Sequence, residues 1–173
     1  DGLENGLKRL ISGDYELDSR TMLRCSVNGG TPHHFLNDVL LYKRTFSGVA
    51  EISIDVDGLF AGSVICDGVI ASTSTGSTGY SISAGGPVIA PGLDALIITP
   101  ICPHTLTSRP IVAPAEARVS FSMKSAGCLS VDGIYTSDID AVDAITVTRD
   151  GVKVDFVRFE RQNIYELIRQ RLS

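Results

Sequence analysis

Beyond its first two residues, four Asp-Gly pairs punctuate the chain, at 57–58, 67–68, 132–133 and 150–151, each beside short runs of apolar or alternating residues. A two-residue turn of this kind needs positive φ at both positions. Glycine takes that conformation freely and aspartate tolerates it, so the pair closes antiparallel hairpins. Ile52, Ile54 and Val56 alternate with Glu51, Ser53 and Asp55, the pattern of a half-buried strand, and Asp57-Gly58 turns it into a second strand over residues 59–66. Residues 144–148 and 152–157 read as the two arms of a hairpin around Asp150-Gly151. Residues 22–27, 96–101, 118–123 and 127–131 are further strands. Many short strands with regular turn signals, and no alternation of strand and helix, predict a mainly β, two-sheet, sandwich-like domain.

Helical periodicity is confined to three places. Leu3, Leu7, Leu10 and Ile11 share one face of a helix over residues 3–11 that Gly13 stops. Residues 79–84 open a short helix after a glycine-rich loop. Asn163, followed three residues later by Glu166, reads as a variant capping box for a closing helix through Leu167 and Ile168, with Arg169 and Arg171 suiting its carboxy terminus.

At 173 residues the chain is one domain, large enough to bury a core without staples. A net charge of −5 gives no general attraction to nucleic acid or an anionic membrane, and no apolar run reaches the roughly 18 residues of a membrane span. Cysteines at 25, 66, 102 and 128 form no CxxC pair. They read as buried, reduced thiols, which predicts a cytoplasmic protein. The chain starts at Asp1 without a methionine or signal peptide, as a fragment of a longer protein would.

The most unusual segment is S-T-S-T-G-S-T-G-Y-S-I-S-A-G-G-P, residues 72–87. It carries eight serine and threonine hydroxyls between Ser72 and Ser83, plus Tyr80. So polar a run does not suit a core strand. Gly76 and Gly79 let a backbone approach a ligand closely, and Ser77 and Thr78 can donate or accept hydrogen bonds. Amides entering a helix favour a polar or anionic group, and Tyr80 offers a face for a base. A plain helix-capping surface turn is the alternative. No lysine follows the glycines, so this is not a P-loop. Gly76-Ser77-Thr78-Gly79 is not a nucleophile elbow, and nothing in the sequence places His33, His34 or His104 beside a serine.

The run D-G-V-I-A-S-T-S-T-G-S-T-G-Y-S-I-S-A-G-G-P-V-I-A-P, residues 67–91, resembles the signature of the NAD kinase family, whose usual form has Pro at Ser74 and Ala at Gly79. F-L-N-D-V-L-L, residues 35–41, resembles the family's Asn-Glu motif with Asp for Glu. P-H-T-L-T-S-R-P, residues 103–110, resembles its P-H-T-L-S-x-R-P block. Three blocks in the same order cover most of the chain.

The resemblance implies the carboxy-terminal β-domain of an enzyme that phosphorylates the 2′-hydroxyl of the adenosine ribose of NAD to give NADP. The donor is ATP or inorganic polyphosphate, and a divalent metal such as Mg2+ assists. It places Asn37 and Asp38 at the adenosine and its ribose. Thr75, Ser77, Thr78, Gly79, Tyr80 and Ser83 fall along the dinucleotide site. Asp67 falls at the nicotinamide end, often across a subunit interface, with His104 and Asp132 as further possible ligand contacts. On residue pattern alone, Asn37 and Asp38 also suit a turn or strand bulge, Asp67 a hairpin turn and His104 a structural turn.

The family's G-G-D-G motif belongs to an amino-terminal α/β domain. It occurs nowhere in these residues, since Gly29-Gly30 precedes Thr31-Pro32 and Gly85-Gly86 precedes Pro87. No catalytic or metal-ligating residue is therefore assigned in this chain, which is expected to be inactive alone. The missing domain and a second copy, in a homodimer or homotetramer, are its expected partners. Two alternatives are a non-catalytic dinucleotide-binding module and a related lipid kinase domain, the latter disfavoured by so many hydroxyls.

Overall fold

The structure is a computed structural model that describes residues 2–45, 47–90 and 92–160, together with 163, 165, 166 and 169. It opens with helix α1 (Gly2–Ser12), which ends at Gly13 in the left-handed region, φ 73°. Twelve strands follow among the described residues: β1 (Glu16–Val27), β2 (His33–Phe35), β3 (Asp38–Lys43), β4 (Ala50–Val56), β5 (Leu59–Cys66), β6 (Gly68–Thr73), β7 (Ala95–Ile101), β8 (Ile111–Pro114), β9 (Val119–Met123), β10 (Gly127–Val131), β11 (Ile134–Ile139) and β12 (Ala144–Arg158). A 3₁₀ turn (Gly76–Thr78) and a one-turn helix α2 (Tyr80–Ser83) stand between β6 and β7.

The strands form two antiparallel six-stranded sheets, ordered β2-β1-β12-β9-β4-β5 and β11-β10-β3-β6-β7-β8. One core joins them. Leu23, Phe35, Ile52, Phe121, Ile145 and Val147 enter from the first sheet, and Val39, Leu41, Val69, Ala71, Leu96, Ile98 and Leu129 from the second. The expected mainly β, two-sheet sandwich is what the chain builds. The second sheet is also covered on its outer face. Ile70, Ser72, Ile97 and Thr99, the other half of the alternation in β6 and β7, are wholly buried, and Ser81 of α2 hydrogen-bonds Thr99 through their hydroxyls at 2.9 Å. A strand covered on both sides loses the polar–apolar alternation by which strands are read. Hence Ser72 and Thr73, which looked too polar for a core strand, complete β6 and are 0% and 2% exposed.

The Asp-Gly pairs divide in two. Val56 pairs Leu59 across Asp57 (φ 52°) and Gly58 (φ 78°), and Val131 pairs Ile134 across Asp132 (φ 46°) and Gly133 (φ 77°), both two-residue turns with positive φ throughout. The other two pairs depart from expectation. Asp67-Gly68 carries the chain from β5 in one sheet to β6 in the other. Gly68 is there because a Cβ would lie 2.6 Å from the Leu41 carbonyl oxygen. Asp150-Gly151 is not a hairpin either. Residues 144–158 are one strand along β1, and its register jumps from Leu23↔Arg149 to Thr21↔Lys153, so three residues bulge opposite Met22. The Asp150 carboxylate sustains the bulge, accepting the Val152 N–H at 3.3 Å and bonding the His34 ring Nδ1 from β2.

Three of the four free thiols, Cys25, Cys66 and Cys128, are buried as expected. Cys102 is exposed instead, because it sits in a left-handed bend after β7 (φ 46°). No helix among the described residues is long and apolar enough to cross a membrane. The closing helix expected beyond Asn163 lies largely outside the described residues. Within them Asn163 Oδ1 accepts the Tyr165 and Glu166 amides at 3.1 and 3.4 Å, as its capping role requires.

Candidate functional site

The end of the second sheet where β3 begins and β6 finishes brings together three segments distant in sequence. Residues 36–38 bend into β3, the glycine loop leaves β6, and the β10–β11 turn reaches over from its neighbouring strands. At the turn, the Asp132 carboxylate accepts three consecutive backbone N–H groups, from Leu36 at 2.8 Å, Asn37 at 2.8 Å and Asp38 at 3.0 Å. Its own N–H donates to the Asp38 carbonyl at 2.8 Å. From the other side, the Thr73 N–H donates to the Asn37 carbonyl (2.9 Å) and the Thr73 hydroxyl to the Leu36 carbonyl (2.5 Å), while the Gly76 N–H returns to that hydroxyl at 3.0 Å. Gly76 lies flat on Asn37, where any Cβ would overlap the Asn37 carbonyl. The loop is therefore seated against residues 36–38 by backbone contact, which requires glycine at 76.

This frame turns Asn37 outward and Asp38 inward. The Asn37 side chain is exposed and makes no hydrogen bond among the described residues. Asp38 is 9% exposed and points to the sheet's outer face beneath the loop, where a Cβ on Gly79 would sit 3.6 Å from its Oδ2. No donor among the described residues bonds its carboxylate, and burial, followed by the nearby Asp132 charge, raises its pKa above the ordinary carboxylate value. Ser72 lies directly across from Asp38 on β6, and its buried hydroxyl has no partner. Directly opposed residues of antiparallel strands share a face. An unpaired carboxylate and an orphan hydroxyl thus stand side by side under a glycine loop, an arrangement that natural interiors seldom keep without a use.

The expected loop residues take different stations. Tyr80 is half exposed and Gly79 and Ser83 are exposed. Thr75 and Thr78 are partly buried, and the Thr78 hydroxyl donates to the Thr75 carbonyl at 3.4 Å. Ser77 is wholly buried, its hydroxyl donating to the Ser74 carbonyl at 2.7 Å and accepting the Ile89 N–H at 3.1 Å. It braces the loop from within. Asp67 and His104 are at the far end of β6, roughly 20 Å away for a six-residue strand. Asp67 is ion-paired with Lys43 at 2.5 Å, and the exposed His104 donates its backbone N–H to the Ile65 carbonyl at 2.9 Å. The fold therefore unites Asn37, Asp38, Asp132 and the glycine loop in one place and sets Asp67 and His104 in another. Sequence reasoning passed over Thr73, whose hydroxyl links the two segments. It also passed over Lys43, which has no local signal as the partner of Asp67. Among the described residues no three His, Cys, Asp or Glu side chains gather as a metal would require.

Residues 36–159 match the family described as the ATP-NAD kinase C-terminal domain. The NAD kinase of Geotalea daltonii is 39% identical over 174 residues, which cover 96% of this chain and 61% of that protein. The NAD kinase of Chloroherpeton thalassium is 39% identical over 171 residues, covering 95% and 60%. This chain thus spans about 60% of the length of these curated relatives. Among solved structures, yeast NADH kinase complexed with NADH superposes with a TM-score of 0.90 at 29% identity, over 98% of this chain and 55% of that one. An NAD kinase from Archaeoglobus fulgidus in complex with ATP gives 0.79 at 25% identity, over 98% and 65%. With the matched span reaching from Leu36 to Phe159 and taking in every element around the bend and the glycine loop, the chain belongs to the ATP-NAD kinase C-terminal domain family.

Proposed function

We propose that this chain is the dinucleotide-binding part of an NAD kinase, the whole protein transferring a phosphoryl group to the 2′-hydroxyl of the adenosine ribose of NAD to give NADP. The observation that carries the reading is the pairing of an outward Asn37 amide with an inward, unpartnered Asp38 carboxylate beside the glycine loop. An amide can satisfy both a donor and an acceptor on a base edge, and a carboxylate accepts from vicinal ribose hydroxyls. Tyr80 adds a flat, half-exposed face, and Thr75, Thr78, Gly79 and Ser83 supply polar groups and close backbone approach. Ser77 acts through the loop it braces.

Phosphoryl transfer depends on charge and position around the moving phosphate. No G-G-D-G occurs in these residues and no metal-ligating cluster forms among those described, so no transfer step is assigned to this chain's side chains. ATP or polyphosphate and a divalent ion would be met with an amino-terminal α/β domain of the same protein. Asp67 and His104 lie too far from the loop to share a ligand end with Asn37, which favours their serving the site of a second copy in a cytoplasmic homodimer or homotetramer. That NADH and ATP are bound by structurally similar kinases supports the nucleotide class.

Titration of this chain with NAD and NADP tests the reading. Asn37→Ala and Tyr80→Ala are each expected to weaken binding about tenfold, the size of one lost hydrogen-bonded or stacked contact. Incubation with NAD, ATP and Mg2+ is expected to yield no NADP above a protein-free control. Binding by the wild type that neither substitution alters would overturn the site, and NADP formation would overturn the division of labour.

A further inference from the structure

We propose that Asp132 is a positioning residue for this site: from the β10–β11 turn its carboxylate holds residues 36–38 in the bend that presents the Asn37 amide and keeps Asp38 under the glycine loop. The sequence suggested Asp132 as a ligand contact. Its carboxylate is instead engaged by three N–H groups, Oδ1 accepting those of Asn37 and Asp38 and Oδ2 that of Leu36. A carboxylate offers about four acceptor positions, so little remains for a ligand. Successive amides converging on one anion form the concave nest otherwise used to bind phosphate, here filled from within the protein. The left-handed backbone at Asp132 (φ 46°) swings the side chain over the bend, and the Asp132 N–H to Asp38 carbonyl bond locks the turn to the strand.

Beside burial, the arrangement also bears on the charge at Asp38. The groups facing that carboxylate are Asp132 from the turn, Ser72 from β6 and Gly79 from the loop, and no Lys, Arg or His among the described residues acts on it. Asp132 therefore holds the bend and at the same time disfavours ionisation of Asp38. A ligand hydroxyl donating to Asp38 restores what the fold withholds.

The proposal rests on the reading of the site given above, and its test separates the two. Asp132→Asn and Asp132→Gly both tolerate positive φ, so the turn survives while the acceptors are halved or removed. Amide hydrogen exchange at residues 36–38, followed by NMR without ligand, is expected to accelerate at least tenfold in Asp132→Gly and less in Asp132→Asn, with the rest of both sheets unchanged. The Kd for NAD is expected to rise at least tenfold in Asp132→Gly, and adding Asn37→Ala to it should cost less than Asn37→Ala costs alone. In Asp132→Asn the low-pH limb of NAD binding should move to lower pH, because Asp38 has lost its negative neighbour, and Asp38→Asn should abolish that limb. Unchanged exchange at 36–38 in both variants overturns the proposal. A raised Kd with unchanged exchange would make Asp132 a direct ligand contact and also overturns it. If the wild type fails to bind NAD, the functional reading falls, while the exchange rates still decide what Asp132 does.

Discussion

The two glycines of the loop look alike in sequence and are opposite in consequence. At Gly76 a side chain would have to enter the Asn37 backbone, which cannot yield without breaking the Thr73 N–H bond to the same carbonyl. At Gly79, φ is −89°, outside the left-handed region. A Cβ there would lie 3.1 Å from the Gly76 carbonyl oxygen and 3.6 Å from Asp38 Oδ2, a fit that a shift of a few tenths of an ångström relieves. The alanine that the family resemblance puts at this position is therefore accommodated. Gly76→Ala is expected to cost about 3 kcal/mol, and Gly79→Ala under about 1 kcal/mol, in urea unfolding. NAD binding should be lost in the former and retained in the latter. At this scale the site was partly legible. Asn37, Asp38 and the loop announce themselves by residue type, because their chemistry is local. The grip of Asp132 on residues 36–38 spans 94 to 96 positions and leaves no trace in the spacing of either segment.

Among the elements, β12 shows how a turn signal can be overruled. Asp150-Gly151 has hairpin chemistry, yet a 12-residue partner, β1, gives both flanking runs more hydrogen bonds as one strand than as two arms. The surplus residues are absorbed as a bulge that begins at Asp150, 8% exposed. Burial raises its pKa, but the His34 ring and the Val152 and Gly151 amides outweigh burial, and the net value lies below the ordinary 3.8. A carboxylate with a depressed folded-state pKa stabilises the protein above its unfolded value. That contribution fades as pH falls through the lower folded value. Asp150→Ala is expected to lower stability by about 1–2 kcal/mol at pH 7, with His34 partly screened by water, and the gap from wild type should narrow at a pH well below the ordinary 3.8. Denaturant titrations at the two pH values check it. The strands with clean alternation, β4 and β9, were legible because one face of each is dry and the other less so. The strand β6 was not, because both its faces are covered and polarity ceased to report position.

For the whole molecule, the two-sheet plan could be read from turn frequency alone, but not which strands pair across the chain. One consequence is that α1 stands apart from the core. It buries no residue, and Leu3, Leu7 and Ile11 are 90%, 57% and 80% exposed on its apolar face. It is tied to the sandwich by the Arg9 guanidinium, stacked over the Phe159 ring and bonded to the Phe159 carbonyl at 2.6 Å. Leu7→Lys is therefore expected to change unfolding stability by less than about 0.5 kcal/mol, where a core leucine would cost several times that. The same change should reduce any self-association seen by sedimentation, since a contiguous apolar stripe facing water promotes it.

The long ladder between the opening and closing strands has a mechanical outcome. Glu16 sits opposite Arg158, so the backbone enters and leaves the sandwich through a single doorway, two strand widths across at most. Whatever is joined ahead of Glu16 and whatever continues past Arg158 therefore depart side by side from one end of the first sheet, while the bend at Asn37 leads into the other.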